Sequence, residues 1–76
     1  MREILETLIK NLVDNKEDVT ITEKQEGKNT IFEVKVKESD MGKIIGKQGR
    51  IAKSIRTVMK SVAGKEHKKV IIEFAN

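Results

Sequence analysis

The sequence has no cysteine, no proline, no tryptophan and no tyrosine. Without cysteine it can form no disulfide and has no thiol nucleophile or thiolate ligand. Its single histidine, His67, lies among charged residues in a polar segment, so the residues typical of a zinc site are missing. We therefore expect no metal, no cofactor and no catalytic activity. The two aromatic residues, Phe32 and Phe74, fall at inward positions of predicted strands, which argues against base binding on an exposed aromatic platform.

Long hydrophobic runs are also missing. No stretch approaches the roughly 20 apolar residues that a membrane helix requires, and the residues after Met1 resemble neither a signal peptide nor a transit peptide. We expect a cytoplasmic protein with no membrane association. A chain of 76 residues has room for one domain, residues 1–76, which buries only about 60% of its unfolded surface and is marginally stable.

The charges are unevenly distributed along the chain. Residues 1–40 contain seven Lys or Arg and ten Asp or Glu, whereas residues 41–69 contain nine Lys or Arg and one acidic residue, Glu66. A basic block on a folded domain indicates an anionic partner such as nucleic acid. A solvated charged surface would have the same composition, so charge alone does not decide between them.

Hydrophobic periodicity and turn signals predict the order α-β-β-α-α-β. Residues 2–14 have the spacing of an amphipathic helix, and two alternating segments around a Gly/Asn turn form a β-hairpin. We place Ser39-Asp40 as the N-cap of a short helix and Gly64 as the C-terminal cap of a longer one. The predicted elements are helix 2–14, strands 19–23 and 30–37, helix 41–45, a helix starting near residue 50, and strand 69–75.

This order predicts an α+β domain with a three-stranded mixed sheet and helices packed on one face. The strands at 30–37 and 69–75 are joined by a two-helix connection, which is long enough for parallel pairing. The hairpin supplies the antiparallel part of the sheet.

Gly46-Lys47-Gln48-Gly49 separates the two central helices. A glycine costs about 1 kcal/mol relative to alanine inside a helix, so two of them mark a break. A backbone without Cβ atoms can approach a ligand closely, and the N-terminus of the helix starting near Arg50 directs N–H groups towards the turn. A plain helix–helix turn would account for the same residues.

Residues 42–52, Gly-Lys-Ile-Ile-Gly-Lys-Gln-Gly-Arg-Ile-Ala, resemble the signature of KH domains, in which an Ile-Gly-x-x-Gly turn joins two helices. The order α-β-β-α-α-β is that of the type II form, and the resemblance covers essentially the whole chain. The sequence is similar to the small stand-alone bacterial KH proteins of the KhpA family. Gln48 departs slightly from the pattern, because a second basic residue would be unsurprising there.

The resemblance implies a single-stranded RNA-binding module that clamps about four nucleotides and acts as an RNA chaperone or post-transcriptional regulator. It implies a homodimer, a heterodimer with the larger KH-containing RNA-binding protein KhpB, or both. The implied RNA-binding positions are Lys43, Ile44, Gly46, Lys47, Gln48, Gly49, Arg50 and Ile51. Lys53 joins them because it shares a basic helix face with Arg56 and Lys60. For Ile44, Ile51 and Val36 we hold two interpretations, the floor of a base-binding groove and simple core packing; we expect Ile45 to be partly in the core.

A protein-interaction or assembly domain with a KH fold and little nucleic-acid binding is the alternative function. Retention of both glycines, with Lys47 and Arg50 beside them, favours binding. The choice between RNA and single-stranded DNA stays open. The helix after the turn has a broad apolar arc, and we expect its edge residues Ala52 and Met59, with Ile51, to form a dimer surface.

Overall fold

The computed structural model describes residues 1–46 and 49–75. Its order confirms the α-β-β-α-α-β prediction, with a single 3-10 turn, Lys16–Asp18, before the first strand. The elements are α1 Arg2–Lys10, β1 Thr20–Glu26, β2 Asn29–Lys35, α2 Glu38–Ile45, α3 Arg50–Lys65 and β3 Lys69–Ala75. No helix within the described ranges is long and apolar enough to cross a membrane.

The three strands form one mixed sheet in the order β1-β2-β3. The hairpin partner β1 is antiparallel to β2, and β3 is parallel to it, with Phe32 opposite Ile72. Because side chains alternate along a strand, Thr30, Phe32 and Val34 all point from β2 to the helical side, where they are completely buried. The prediction of a mixed sheet with helices on one face is therefore confirmed.

The core lies between this inner sheet face and the three helices. Burial of apolar side chains is the main favourable term in folding, and each element supplies at least one residue to this cluster. The buried residues of this cluster are Leu5, Ile9, Val13, Ile21, Phe32, Val34, Val36, Met41, Ile44, Ala52, Ile55, Met59 and Ile72. Phe74, which was predicted to face inward, and Val70 are partly buried against it.

The first helix ends at Lys10, four residues before the predicted end. The Leu12 N–H donates to Ile9 O at 3.0 Å, an i→i−3 bond that tightens the last turn. The N–H groups of Asp14 and Asn15 then donate to the Asp40 carboxylate. These two bonds to a distant side chain replace the helical bonds that the periodicity predicted.

The second helix begins at Glu38 instead of residue 41, and its N-cap is Lys37. The predicted N-cap at Ser39-Asp40 is wrong, because both residues lie within the helix. Asp40 is 1% exposed and directs its carboxylate across the molecule to the α1–β1 connection.

The third helix continues past Gly64 to Lys65, so the predicted glycine cap is also wrong. His67 takes the left-handed conformation with φ 57°. Its N–H donates to Gly64 O, and the Lys68 N–H donates to Ala63 O. This bond pattern is a Schellman motif in which histidine occupies the position that usually holds glycine.

Candidate nucleic-acid interface

The turn between α2 and α3 requires glycine at both ends. The Gly46 N–H donates to Gly42 O at 2.7 Å, and a Cβ atom on Gly46 would overlap that carbonyl oxygen. Gly49 has φ 75°, in the left-handed region that favours glycine. Lys47 and Gln48 lie outside the described residues. The two glycines therefore fix the path of the backbone into and out of the turn.

The N-terminus of α3 meets this turn at Gly49, its N-cap. The Lys53 N–H donates to Gly49 O at 2.9 Å, so the N–H groups of residues 50–52 precede the first helical hydrogen bond. No side chain in the described ranges caps α3, and its first turn contains no acidic residue. The other two helices do have an acidic residue in the first turn, Glu3 in α1 and Glu38 in α2. The helix end is thus electropositive, and the exposed Arg50 adds a full charge.

Lys43, in the last turn of α2, is engaged by two carboxylates. Its ammonium forms an ion pair with Asp14, and its Nζ lies 3.7 Å from Asp40 Oδ1. The hydrogen bond to Asp14 raises the pKa of Lys43 above its usual value, although partial burial opposes this effect. A phosphate that contacts Lys43 must therefore compete with Asp14.

Asp40 organises the residues beside Lys43. Its carboxylate accepts hydrogen bonds from the Asn15 side chain at 2.9 Å and from the N–H groups of Asn15 at 3.0 Å and Asp14 at 3.3 Å. The hydrogen bond from the Asn15 side chain is the main reason that the pKa of Asp40 lies below its usual value. These bonds tie the connection after α1 to the helix that carries the turn.

The structure decides between the two interpretations of Ile44 and Val36 and corrects the expectation for Ile45. Ile44 is 0% exposed and Val36 is 6% exposed, so both belong to the core rather than to the floor of a base-binding groove. Ile45, which we expected to be partly in the core, is 48% exposed beside the turn. Met41 and Ile44, at i, i+3 spacing, share the inward face of α2, and Ile45 points away from it.

The predicted basic face of α3 lies beside β3. Lys53 and Lys60 are exposed, whereas Arg56 is anchored to the strand by a hydrogen bond from Nε to Ile72 O at 3.3 Å. The Arg56 guanidinium carbon also lies 5.1 Å from the centre of the Phe74 ring. Sequence reasoning grouped Arg56 with the two lysines and missed this anchor, which depends on the placement of β3.

The apolar arc of α3 has a different centre from the one we expected. Ala52 and Met59 are 5% and 0% exposed, so the prediction that they form the edge of a dimer surface is wrong. The exposed edge contains Ile51 and Val58, which face α1. Between α1 and α3 lies an apolar groove with a cavity of about 340 Å³, lined by Leu8, Asn11, Leu12, Ile51, Ser54, Ile55 and Val58. We call this the α1–α3 groove.

The described part of the site contains no metal-binding cluster. Within residues 1–46 and 49–75, no three His, Asp or Glu side chains are grouped to hold a metal ion. Of the predicted RNA-binding positions, Gly46, Gly49 and Arg50 converge at the turn, whereas Lys43 faces Asp14. Ile51 faces the α1–α3 groove, and Lys53 lies on the exposed side of α3.

A three-stranded mixed sheet with the order α-β-β-α-α-β and a Gly-x-x-Gly turn between two consecutive helices defines a type II KH domain. The chain belongs to the KhpA/KhpB KH-domain family, whose model matches residues 2–74. It is 55% identical over 73 residues to the RNA-binding protein KhpA of Clostridium perfringens, covering 96% of this chain and 97% of the relative. Proteins of the same name from Caldanaerobacter subterraneus (51% identical, covering 96% and 97%) and Aquifex aeolicus (41% identical, covering 96% and 92%) are also similar.

Proposed function

We propose that this protein is a single-stranded RNA-binding module, not an enzyme, and that it acts as an RNA chaperone or post-transcriptional regulator. The observation that carries this proposal is the turn at Gly46 and Gly49, where a ligand can approach the backbone closely beside the electropositive N-terminus of α3. The first turn of α3 contains no acidic residue that would repel a phosphate. The relatives from three bacterial genera are named RNA-binding proteins. KH domains bind about four nucleotides with such a turn.

In this proposal the RNA backbone passes over the turn, and its phosphates meet the N–H groups at the start of α3. Arg50 and Lys53 supply exposed positive charges, and Lys47 and Gln48 stand between the two glycines in the sequence. Lys43 contacts a phosphate once its ion pair with Asp14 is broken. Ile44 contributes by fixing α2 from the core, since its side chain is not exposed. Most contacts address the phosphates, so affinity falls as salt rises.

The test is the double substitution Lys47→Asp with Gln48→Asp. Two carboxylates beside passing phosphates repel them at a cost of several kcal/mol, so we expect RNA affinity to fall by more than about tenfold. A circular dichroism melt verifies that the variant folds. The strand β1 offers a control, because Thr22 and Lys24 are both exposed there. Thr22→Asp with Lys24→Asp makes the same change in net charge and should leave most of the affinity.

Unchanged RNA affinity in a folded Lys47→Asp, Gln48→Asp variant would refute the assignment of the turn. It would favour the alternative of a protein-interaction or assembly domain with a KH fold. The same titrations with single-stranded DNA of identical sequence determine whether the 2′-hydroxyl groups contribute.

We also infer that a second copy of the chain covers the α1–α3 groove. Val58 is 42% exposed there, and five of the seven residues that line the groove are apolar. A small domain is only marginally stable alone, so it gains from burying this surface. The KH domain of KhpB shares the family model with this chain, which makes it the second candidate partner for the same groove.

Sedimentation equilibrium at micromolar concentration tests the homodimer. We expect a dimeric mass for the wild type and a monomeric mass for Val58→Glu, which buries a charge in the interface. Ile71→Glu is the matched control, because Ile71 is similarly exposed, at 44%, on β3. A monomeric wild type refutes the homodimer, and mixing it with the KH domain of KhpB then tests the heterodimer. A dimer that persists in Val58→Glu places the interface elsewhere.

A further inference from the structure

Arg56 differs from its basic neighbours because its side chain is fixed. Its Nε donates to Ile72 O at 3.3 Å, and its guanidinium carbon lies 5.1 Å from the Phe74 ring centre. Lys53 and Lys60, on the same face of α3, have no carboxylate within ion-pair distance in the part of the chain that the structure describes. A mobile lysine suits a passing phosphate, whereas a fixed guanidinium has a defined geometry.

The acceptor for Arg56 lies on the open edge of the sheet. Strand β3 is an edge strand, and the Lys69 N–H points towards β2, where it meets Lys28 O. Successive residues of a strand direct their backbone groups to alternate sides, so the Ile72 carbonyl points away from β2. Arg56 thus extends from α3 to the edge of β3.

This anchor uses only part of the guanidinium. Arginine has five N–H donors in a planar arrangement, and the hydrogen bond to Ile72 engages Nε, leaving the two terminal nitrogens. No partner is recorded for those nitrogens within residues 1–46 and 49–75. The residue as a whole is exposed. Fixing the side chain in the folded protein removes much of the entropy cost that a flexible arginine pays on binding.

The position of Arg56 also suits a nucleotide held at the turn. It lies six residues after Arg50 in α3, about 9 Å along the helix axis. A strand whose phosphates contact the turn and Lys53 can therefore place a base edge at the terminal nitrogens of Arg56. The O6 and N7 atoms of guanine are two adjacent acceptors that match this pair of donors, and this is the commonest specific contact made by arginine.

We propose that Arg56 is a specificity-determining residue that recognises guanine in the bound single strand through its two terminal nitrogens. The inference rests on the proposed RNA-binding function. It assigns base recognition to a residue held between α3 and the edge of β3, and backbone binding to the turn. Phe74 acts as a positioning residue, because its ring lies within cation–π distance of the guanidinium.

The experiment uses four seven-nucleotide RNAs that are oligouridine except for the central position, which is guanine, adenine, cytosine or uracil. A good bidentate pair discriminates by about 1–3 kcal/mol, so we expect the wild type to bind the guanine RNA about five- to 150-fold more tightly than the others. Arg56→Lys keeps the charge but loses the planar pair of donors. It should bind the guanine RNA no more tightly than the other three, and its melting curve should show that it folds.

Two further variants separate recognition from general electrostatics. Lys53→Gln should weaken binding to all four RNAs equally and reduce the salt slope by about 0.7 log units per lost phosphate contact. Phe74→Leu should reduce the guanine preference and leave the salt slope unchanged.

The outcomes for the proposed function and for Arg56 are distinct. Wild-type protein that binds none of the four RNAs overturns both. Binding with no base preference, or with a preference for another base, overturns only the role of Arg56. A guanine preference that survives Arg56→Lys also overturns only the role of Arg56.

Discussion

At the scale of single residues, the ion pair between Asp14 and Lys43 limits the positive charge that Lys43 can offer to a phosphate. The Asp14 side chain is 77% exposed and the Lys43 side chain 45% exposed. An exposed pair of this kind is weak and is screened by salt. A phosphate can therefore displace Asp14, but binding is weaker by the strength of the pair that must be broken.

We predict that Asp14→Asn tightens RNA binding about two- to fivefold, since an exposed ion pair limits the gain. Lys43 then contacts a phosphate without competition from Asp14, although Asp40 stays beside it, and this steepens the salt dependence. Fluorescence titrations at several salt concentrations measure both effects. Glu17→Gln is the control, because it removes the same charge from the neighbouring 3-10 turn. Equal gains in the two variants would mean that only net charge matters.

The second prediction concerns Asp40, whose carboxylate is buried and hydrogen-bonded. Its pKa in the folded protein is lower than in the unfolded chain, where it is about 3.9. The carboxylate therefore stabilises the fold above about pH 4, and this contribution is lost as the pH falls through the lower folded pKa. We expect Asp40→Asn to unfold at a lower temperature at pH 7 and to show a flatter loss of stability in acid.

Thermal melts between pH 7 and pH 2.5 test this prediction, with Glu38→Gln on the same helix as the exposed control. Glu6, whose pKa the hydrogen bond from Lys10 also lowers, retains a small acid dependence in both variants. If wild type and Asp40→Asn lose stability in parallel as the pH falls, Asp40 does not hold the α1–β1 connection as described.

At the scale of secondary-structure elements, the end of α3 allows the sharpest stability prediction. Gly64 lies within the helix with nothing within 4 Å of a built Cβ atom, and His67 has the left-handed conformation. We predict that Gly64→Ala and His67→Gly each stabilise the protein by about 1 kcal/mol, the first through helix propensity and the second by relieving the left-handed backbone.

Chemical denaturation measures both free energies of unfolding. The pair is informative because a helix that ended at Gly64 would respond in the opposite way. In that structure, alanine at position 64 would be forced into the left-handed region and would destabilise the protein. Such a result would contradict the Schellman motif at His67.

The elements themselves were largely predictable, and their boundaries were not. Alternation in β2 and the apolar spacing in α3 depend on local sequence, so the strand pairing and the helix order followed from them. The end of α1 depends on Asp40, which lies 26 residues from Asp14. The cap of α3 depends on a backbone conformation that histidine adopts less often than glycine. Neither helix boundary could therefore be predicted from the neighbouring sequence.

The candidate site shows the same division. The two glycines could be identified from the sequence because their spacing and their helical neighbours are local features. The exposure of Ile45 and the choice between the two interpretations of Ile44 could not, since both depend on which face of α2 packs against the core. The anchor of Arg56 could not be found either, because its acceptor belongs to a strand 16 residues away.

At the scale of the whole molecule, positive charge is concentrated around the turn. Residues 41–69, with nine Lys or Arg and one acidic residue, form the end of α2, the turn, α3 and the start of β3, whereas residues 1–40 form α1, β1, β2 and the start of α2. In the proposed function this positive field attracts an RNA strand to the turn and α3. The α1–α3 groove is lined mainly by apolar side chains, so it suits a protein partner rather than RNA.

The last prediction joins the two proposed surfaces. Ile51 lies in the first turn of α3 beside Gly49 and also lines the α1–α3 groove. A symmetric dimer formed at that groove brings two turns close together, so that a single RNA of sufficient length contacts both. The second contact is then intramolecular, and effective concentration raises the affinity without any new type of contact.

We expect a 20-nucleotide oligouridine to bind the wild type at least about tenfold more tightly than a seven-nucleotide one, after correction for the number of overlapping binding registers. In Val58→Glu, which is expected to be monomeric, the corrected affinities for the two lengths should be equal, whereas Ile71→Glu should retain the difference. Equal corrected affinities in a wild type that sediments as a dimer would show that the two turns are too far apart, or face in directions that prevent one strand from contacting both.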